Sequence, residues 1–138
     1  MAWQSYGLDR EAQRLVLAAK LRDEKSADGN KNSLNQSYKM RLTVAYGLER
    51  FWGEHLRLQG KEREKSQYWK DTWDALVKIM QLSGVTLPND SVKADNTKAI
   101  QAMSEKLWQL DLKEQRVTLA VLTSLCDCIV WWTQRYKG

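Results

Sequence analysis

Proline occurs once in this 138-residue chain, at Pro88, and glycine occurs seven times. No stretch alternates apolar with polar residues as a half-buried strand would. Apolar residues instead recur every three to four positions, which is the repeat of an amphipathic helix. The chain is therefore predicted to be all-α, a compact bundle of about five helices that forms one domain over residues 1–138.

Five helices are predicted, over residues 10–25, 33–60, 61–82, 95–109 and 111–136. Asp9 is a candidate N-cap for the first, and Ser33–Gln36 and Asp111–Glu114 have the spacing of a capping box. In the second segment, Gly47 and Gly53 either weaken the helix or let a neighbouring backbone or ligand approach. That segment is expected to form one helix with a single apolar face, made of Leu34, Tyr38, Leu42, Ala45, Leu48, Trp52 and Leu56.

Residues 36–70 carry +4 of the chain's net charge of +5. Four basic residues and one tyrosine recur there at helical spacing, within a sector of roughly 60° on one helix. These five residues are Lys39, Tyr46, Arg50, Arg57 and Lys61. Such a stripe, about 33 Å long at a rise of about 1.5 Å per residue, would suit contact with a phosphate backbone.

Three further basic residues, Arg63, Lys65 and Lys70, continue the charge into the next helix. Acidic residues are sparse within the sector of the stripe, so ordinary ion pairing along a helix does not explain it. We therefore predict nucleic-acid contact through all eight residues. The alternative is a solvated helix face that serves solubility only.

The chain offers few groups for catalysis. His55 is the single histidine and has no partner at metal-ligand spacing, so we expect it to be structural. Cys126 and Cys128 point about 160° apart on a helix, which prevents a disulfide between them and predicts thiols in a reducing compartment. No glycine-rich phosphate loop occurs. The sequence thus predicts no enzyme, no metal site and no cofactor.

Targeting and membrane segments are also not evident in the sequence. Met1–Leu8 lacks the basic start and apolar stretch of a signal peptide. The longest apolar-rich run, Val117–Trp132, spans 16 residues, which is short for a bilayer. We therefore expect a cytoplasmic protein without a membrane partner.

The seven tryptophans imply large apolar surfaces. Four of them lie on apolar helix faces and are predicted to be core residues, namely Trp52, Trp69, Trp73 and Trp108. Stacking on bases would need exposed rings. The aromatic residues expected to be exposed are Tyr46, Trp131, Trp3 and Tyr6.

The closing helix is apolar over more than half its circumference, so it is either central in the bundle or shared with a second molecule. Its two apolar ridges are Val117, Val121, Leu125, Cys128 and Trp132 on one side, and Leu119, Leu122, Cys126, Ile129 and Val130 on the other. Trp131 and Trp132 point about 100° apart. We predict that Trp132 joins the core, and that Trp131, with Trp3 and Tyr6, faces a neighbouring protein.

The closing segment Arg116–Tyr136 (RVTLAVLTSLCDCIVWWTQRY) resembles the end of the small subunits of multi-subunit CRISPR effector complexes, of the type I-D or type III-like kind. In those subunits, an apolar helix that opens with Tyr or Thr followed by Leu ends in a basic tail containing Trp. The order and character of the helices are similar over most of the chain.

The resemblance implies a non-catalytic subunit of an RNA-guided complex. Several copies would stack head to tail beside the guide RNA, in contact with other subunits, and hold the guide–target duplex or the displaced strand through its phosphates. Base pairing by the guide would supply the specificity, so the protein contacts would be sequence-independent. The alternative function is a helical-bundle adaptor or assembly protein that binds another protein through the C-terminal helix.

Overall fold

The computed structural model describes residues 7–26 and 32–137, and no strand occurs among them. They form six α-helices and two short 3-10 turns. The elements in chain order are α1 (Leu8–Lys25), a first 3-10 turn (Ser33–Asn35), α2 (Gln36–Thr43), a second 3-10 turn (Val44–Tyr46), α3 (Leu48–Leu58), α4 (Arg63–Leu82), α5 (Thr97–Trp108) and α6 (Leu112–Lys137). The predicted all-α bundle is confirmed.

Helix α6 packs along both α1 and α2. Towards α1, the carbonyl and the hydroxyl of Tyr136 accept hydrogen bonds from Lys20 Nζ and Gln13 Nε2, each at 2.9 Å. Towards α2, the Ser37 and Thr133 hydroxyl oxygens lie 2.6 Å apart, and Arg41 pairs with Asp127 at 2.6 Å. Arg41 comes after Ser37 on α2, whereas its partner Asp127 comes before Thr133 on α6. These two helices therefore run antiparallel.

Helix α4 lies between α1 and α3 and carries most of the aromatic core. Trp69 packs on Phe51 of α3 with ring centroids 4.9 Å apart, and Trp52, Trp69 and Trp73 are all buried, as predicted. Arg22 of α1 pairs with Asp71 of α4 at 2.8 Å. Burial of these large rings is the main contribution to stability at the centre of the bundle.

The segment predicted as one helix over residues 33–60 is broken at Gly47, so that prediction is wrong. Gly47 has φ 98° and ψ 174°, a conformation that is essentially confined to glycine. The face of α2 that was predicted to be buried is also wrong. The residues that α2 buries are Gln36, Ser37 and Met40. Leu42, expected in the core, is 71% exposed, and Tyr38 is exposed as well.

Two predicted helix starts are also corrected. Gly7, in the left-handed conformation, precedes α1, where Asp9 was expected to be the N-cap. The Ser33 backbone N–H and Oγ both donate to the Asp23 carboxylate, at 2.8 and 2.5 Å, instead of forming a capping box. At the start of α6, Asp111 is confirmed as the capping residue, because its Oδ1 accepts the backbone N–H of Lys113 at 2.9 Å, but this single bond is not the capping box predicted with Glu114.

The apolar surface of α6 is only partly enclosed. Its buried positions are Thr118, Val121, Leu122, Leu125, Cys126, Ile129 and Thr133, whereas Val117, placed on a buried ridge by the sequence, is exposed. By length and composition, the 26-residue α6 could cross a membrane, so the 16-residue length argument does not exclude a span. A core helix of a soluble bundle passes the same test, and α6 is packed between α1 and α2.

Candidate nucleic-acid interface

The basic stripe does not lie on one straight helix. Lys39 lies on α2 and Tyr46 in the second 3-10 turn, before the break at Gly47, while Arg50 and Arg57 lie on α3. The predicted rod of about 33 Å is therefore wrong. The second half of the stripe does share one helix face, because Arg50 and Arg57 are seven residues apart on α3. All four stripe cations are exposed, as predicted: Lys39, Arg50, Arg57 and Lys61.

Several basic residues of the predicted site are engaged in ion pairs at helical spacing. Arg57 Nη2 lies 2.8 Å from Glu54, Lys65 lies 2.7 Å from Glu62, and Lys70 pairs with Asp74. The hydrogen bonds that Arg57 donates to the Glu54 carboxylate raise the pKa of Arg57 above its usual value. Exposed pairs of this kind contribute little to stability. They also leave the guanidinium or ammonium group in contact with solvent, where it remains available to a stronger anion.

The turn between α3 and α4 gathers cations from separate elements. The pKa of the Glu62 carboxyl is lowered, chiefly by the hydrogen bond from Lys65 and also by the charges of Lys39 and Arg57. The charge of Lys39, on α2, thus acts on the same carboxyl as the charges of Lys65 and Arg57. We call this group the basic cluster; its members are Lys39, Arg57, Lys61, Arg63 and Lys65.

A cleft of about 280 Å³ lies between the end of α1 and the start of α4, next to the basic cluster. Its described lining residues are Arg22, Lys25, Ser26, Arg63, Glu64 and Gln67. Arg22 Nη1 pairs with Asp71, but its Nε and Nη2 atoms are buried and have no hydrogen-bond partner among the described residues. Arg22 and Lys25 were not predicted as site residues, because they come from a helix that only tertiary packing brings to this site.

A second cleft, of about 340 Å³, lies on the other side of Arg63. It is lined by His55, Gln59, Arg63, Ser66, Gln67, Lys70, Ser91 and Val92. His55 is only 3% exposed, and its Nδ1 lies 2.6 Å from the Trp52 carbonyl, so Nδ1 is the donor. Burial lowers the pKa of His55, which keeps the ring neutral at pH 7. The Lys70 ammonium group also donates to Asn89 Oδ1 at 3.0 Å.

The two thiols are poor nucleophiles at neutral pH. Burial raises the pKa of Cys126 far above its usual value, and burial, together with Asp9, raises the pKa of Cys128 to about 11. Both cysteines are free. Within residues 7–26 and 32–137, no group of three His, Cys, Asp or Glu side chains could hold a metal ion.

Among the predicted protein-contact residues, Trp131 is 54% exposed, so its expected exposure is confirmed. The Arg135 guanidinium lies 5.3 Å from the ring centroid of Trp131 and 5.1 Å from that of Trp132. Trp132 is half-buried and stacks on Tyr136 with ring centroids 5.8 Å apart. Trp3 and Tyr6 lie outside the described residues.

Two other aromatic residues were assigned from sequence, with different outcomes. Tyr46 is 70% exposed, as predicted. Trp108, predicted to be a core residue, is 61% exposed. It is the last residue of α5, where the buried face of the helix is formed by Met103, Ser104 and Leu107. Exposed aromatic rings near basic side chains are a feature of single-strand binding surfaces.

No protein-family model matches the chain, no curated protein is similar to it, and no solved structure matches it. The resemblance to small subunits of CRISPR complexes is therefore supported only by the order and character of the helices, the closing helix included.

Proposed function

We propose that the chain binds nucleic acid non-catalytically, through backbone phosphates that contact the basic cluster. The observation that carries the proposal is the pair of exposed cations at the α3–α4 turn, Lys61 and Arg63, with exposed Lys39 on the neighbouring helix α2. None of the three forms an ion pair with another described residue. Unpaired exposed cations are the groups that displace counterions from a phosphate backbone.

The two clefts beside Arg63 support the same proposal. One of them adds Arg22 and Lys25 to the cations of the basic cluster, so the positive surface continues from the α3–α4 turn to the end of α1. The buried Arg22 nitrogens, which have no partner within residues 7–26 and 32–137, favour an anionic ligand, because a phosphate can accept bidentate hydrogen bonds from arginine. Phosphate contacts carry no base information, so the proposed binding is sequence-independent.

The proposed setting is the small subunit of a cytoplasmic, RNA-guided CRISPR complex. There, several copies would stack along the guide RNA and hold the guide–target duplex or the displaced strand. The all-helical bundle, the basic surface around the α3–α4 turn and the exposed Trp131 at the end of α6 support this setting.

A second candidate function, an adaptor that binds another protein through α6, is favoured by one specific observation. Trp131 is exposed on the last turns of α6 and lies beside Arg135, a pair that is common at the centre of protein interfaces. Association with a protein partner that is insensitive to salt, together with loss of that association in Trp131→Ala, would favour the adaptor.

The nucleic-acid proposal is tested with two variants that remove the same charges. Lys61→Ala/Arg63→Ala removes one lysine and one arginine from the basic cluster. Arg10→Ala/Lys78→Ala removes one of each from exposed positions elsewhere; Lys78 lies about 22 Å along α4 from Arg63 at about 1.5 Å per residue. Binding to a fluorescein-labelled oligonucleotide is measured by anisotropy at low salt.

We expect the cluster variant to bind about tenfold more weakly than the control variant, a difference of about 1.4 kcal/mol. Equal weakening in both variants would mean that net charge alone attracts the oligonucleotide. That result would contradict a defined phosphate-binding surface.

A further inference from the structure

Two exposed aromatic side chains line one cleft at the opposite end of α3 from the basic cluster. Tyr46 lies in the second 3-10 turn and Trp108 at the end of α5, so tertiary packing alone brings them to the same cleft. We call this the aromatic cleft; its volume is about 310 Å³. Leu48, Leu107 and Leu119 also line it, and its charged lining residues are Glu49 and Arg50.

The aromatic cleft has a fixed apolar floor. Leu48 and Leu107 are buried, and Leu119 is half-buried. The side chain of Gln115 donates to the carbonyls of Trp108 and Leu110, at 3.3 and 2.7 Å, and thereby holds the end of α5 on α6. The backbone of Trp108 is thus anchored, while its ring remains exposed to a ligand.

The charges of the aromatic cleft nearly cancel. The Arg50 guanidinium lies 5.7 Å from the ring centroid of Tyr46, and Glu49 accepts a hydrogen bond from Ser104 Oγ at 2.9 Å. One cation and one carboxylate give the cleft little net charge. A neutral planar ring therefore fits these walls better than a phosphate or a charged peptide does.

Further along α3, outside the aromatic cleft, the exposed side chains are again basic. Arg57 follows Arg50 on the same face of α3, about 10 Å further along at about 1.5 Å per residue, and Lys61 follows in the next turn. The surface therefore presents a neutral aromatic site followed by a row of cations. The matching ligand is a polymer with neutral planar rings and an anionic backbone.

We infer that the aromatic cleft accepts an unstacked base of a single-stranded nucleic acid, which stacks on Tyr46 or Trp108 while its phosphates run towards the basic cluster. The inference rests on the proposed nucleic-acid function and deepens it. Bases inside a duplex are already stacked and cannot enter, so the cleft distinguishes single strands from duplexes. Because every base has a π-face, such stacking tolerates any sequence.

The experiment compares two labelled probes of equal length, oligo(dT) of about 12 nucleotides and the same backbone with abasic sites. Wild-type protein should bind oligo(dT) about 5- to 150-fold more tightly than the abasic strand. Tyr46→Ala and Trp108→Ala should each reduce the affinity for oligo(dT) towards that for the abasic strand, and leave the abasic affinity unchanged. Tyr46→Phe, which keeps the ring, should bind like wild type.

Trp131→Ala is the matched control, because it removes an exposed aromatic residue that lies about 18 Å along α6 from Leu119 of the cleft, at about 1.5 Å per residue, and should not change either affinity. Equal binding of the two probes by wild-type protein, or unchanged oligo(dT) affinity in both cleft variants, would overturn the inference while leaving the phosphate-binding proposal intact. Loss of oligo(dT) affinity in Trp131→Ala as well would also overturn it. Failure to bind either probe would instead overturn the proposed function, and the inference with it.

Discussion

At the scale of single residues, His55 links the stability of the bundle to pH. Its ring is buried in the cleft beside Arg63, with Lys70 and Asp74 as its other charged neighbours. Burial chiefly, and the charge of Lys70, lower its pKa, whereas the hydrogen bond to Trp52 and the charge of Asp74 oppose that shift. The unfolded chain, with a histidine pKa of about 6.5, therefore binds a proton more readily than the native protein does.

We predict that the stabilisation from neutral His55 is complete above about pH 6.5 and is lost as pH falls below that value. At pH 5.5, one unit below the unfolded pKa, the loss is at most about 1.4 kcal/mol. Urea unfolding at pH 7.5 and 5.5 measures it, with His55→Gln as the control that keeps a donor for the Trp52 carbonyl. An equal drop in both proteins would show that His55 does not carry this pH dependence.

Residue chemistry also explains why the phase of α2 could not be predicted from sequence. The hydroxyl of Ser37 lies 2.6 Å from those of both Tyr68 and Thr133, and Gln36 Oε1 accepts a hydrogen bond from Trp69 Nε1 at 2.9 Å. Burial raises the pKa of Tyr68 to about 12, so this hydroxyl group stays protonated. The apolar repeat of the sequence predicts that such polar residues are exposed. They are buried because they form hydrogen bonds with partners that are distant in sequence.

At the scale of elements, Gly47 and Gly53 have opposite roles although they lie six residues apart. Gly47 adopts a conformation that other residues reach only with strain, and it separates the second 3-10 turn from α3. Gly53 lies inside α3, where an added Cβ would meet only Glu49 Oε2, at an ordinary distance of 3.7 Å.

We predict that Gly47→Ala lowers the free energy of unfolding by about 1 to 3 kcal/mol. Gly53→Ala should raise it by up to about 1 kcal/mol, because alanine is the better helix former. Chemical denaturation of both variants measures these changes. Destabilisation by Gly53→Ala as large as that by Gly47→Ala would contradict the assigned break.

Helices with clear start and stop signals were predictable. The end of α4 at Leu82, just before Gly84, and the start of α6 after Asp111 both follow from local sequence. The break in the second segment was not predicted, because its apolar repeat continues through residues 44–48. Gly47 was the available signal, but a glycine inside a helical pattern more often weakens a helix than ends it.

At the scale of the whole molecule, the candidate site is a product of tertiary packing. The charge excess of residues 36–70 was visible in the sequence, and so was the exposure of Tyr46. The approach of α2, which carries Lys39, to α3 and α4 was not visible, and neither was the contribution of Arg22, because both depend on how α1 and α2 pack against α4. The exposure of Trp108 likewise depends on where α5 meets α3.

The measurement that tests the central claim most directly is the salt dependence of oligonucleotide binding. Each phosphate contact contributes about 0.7 to 0.9 to the slope of log K against log salt concentration. If Lys39, Lys61 and Arg63 each contact a phosphate, replacing all three with alanine should reduce the magnitude of that slope by about 2 to 3. Wild-type binding with no salt dependence, or a triple variant with an unchanged slope, would contradict the account.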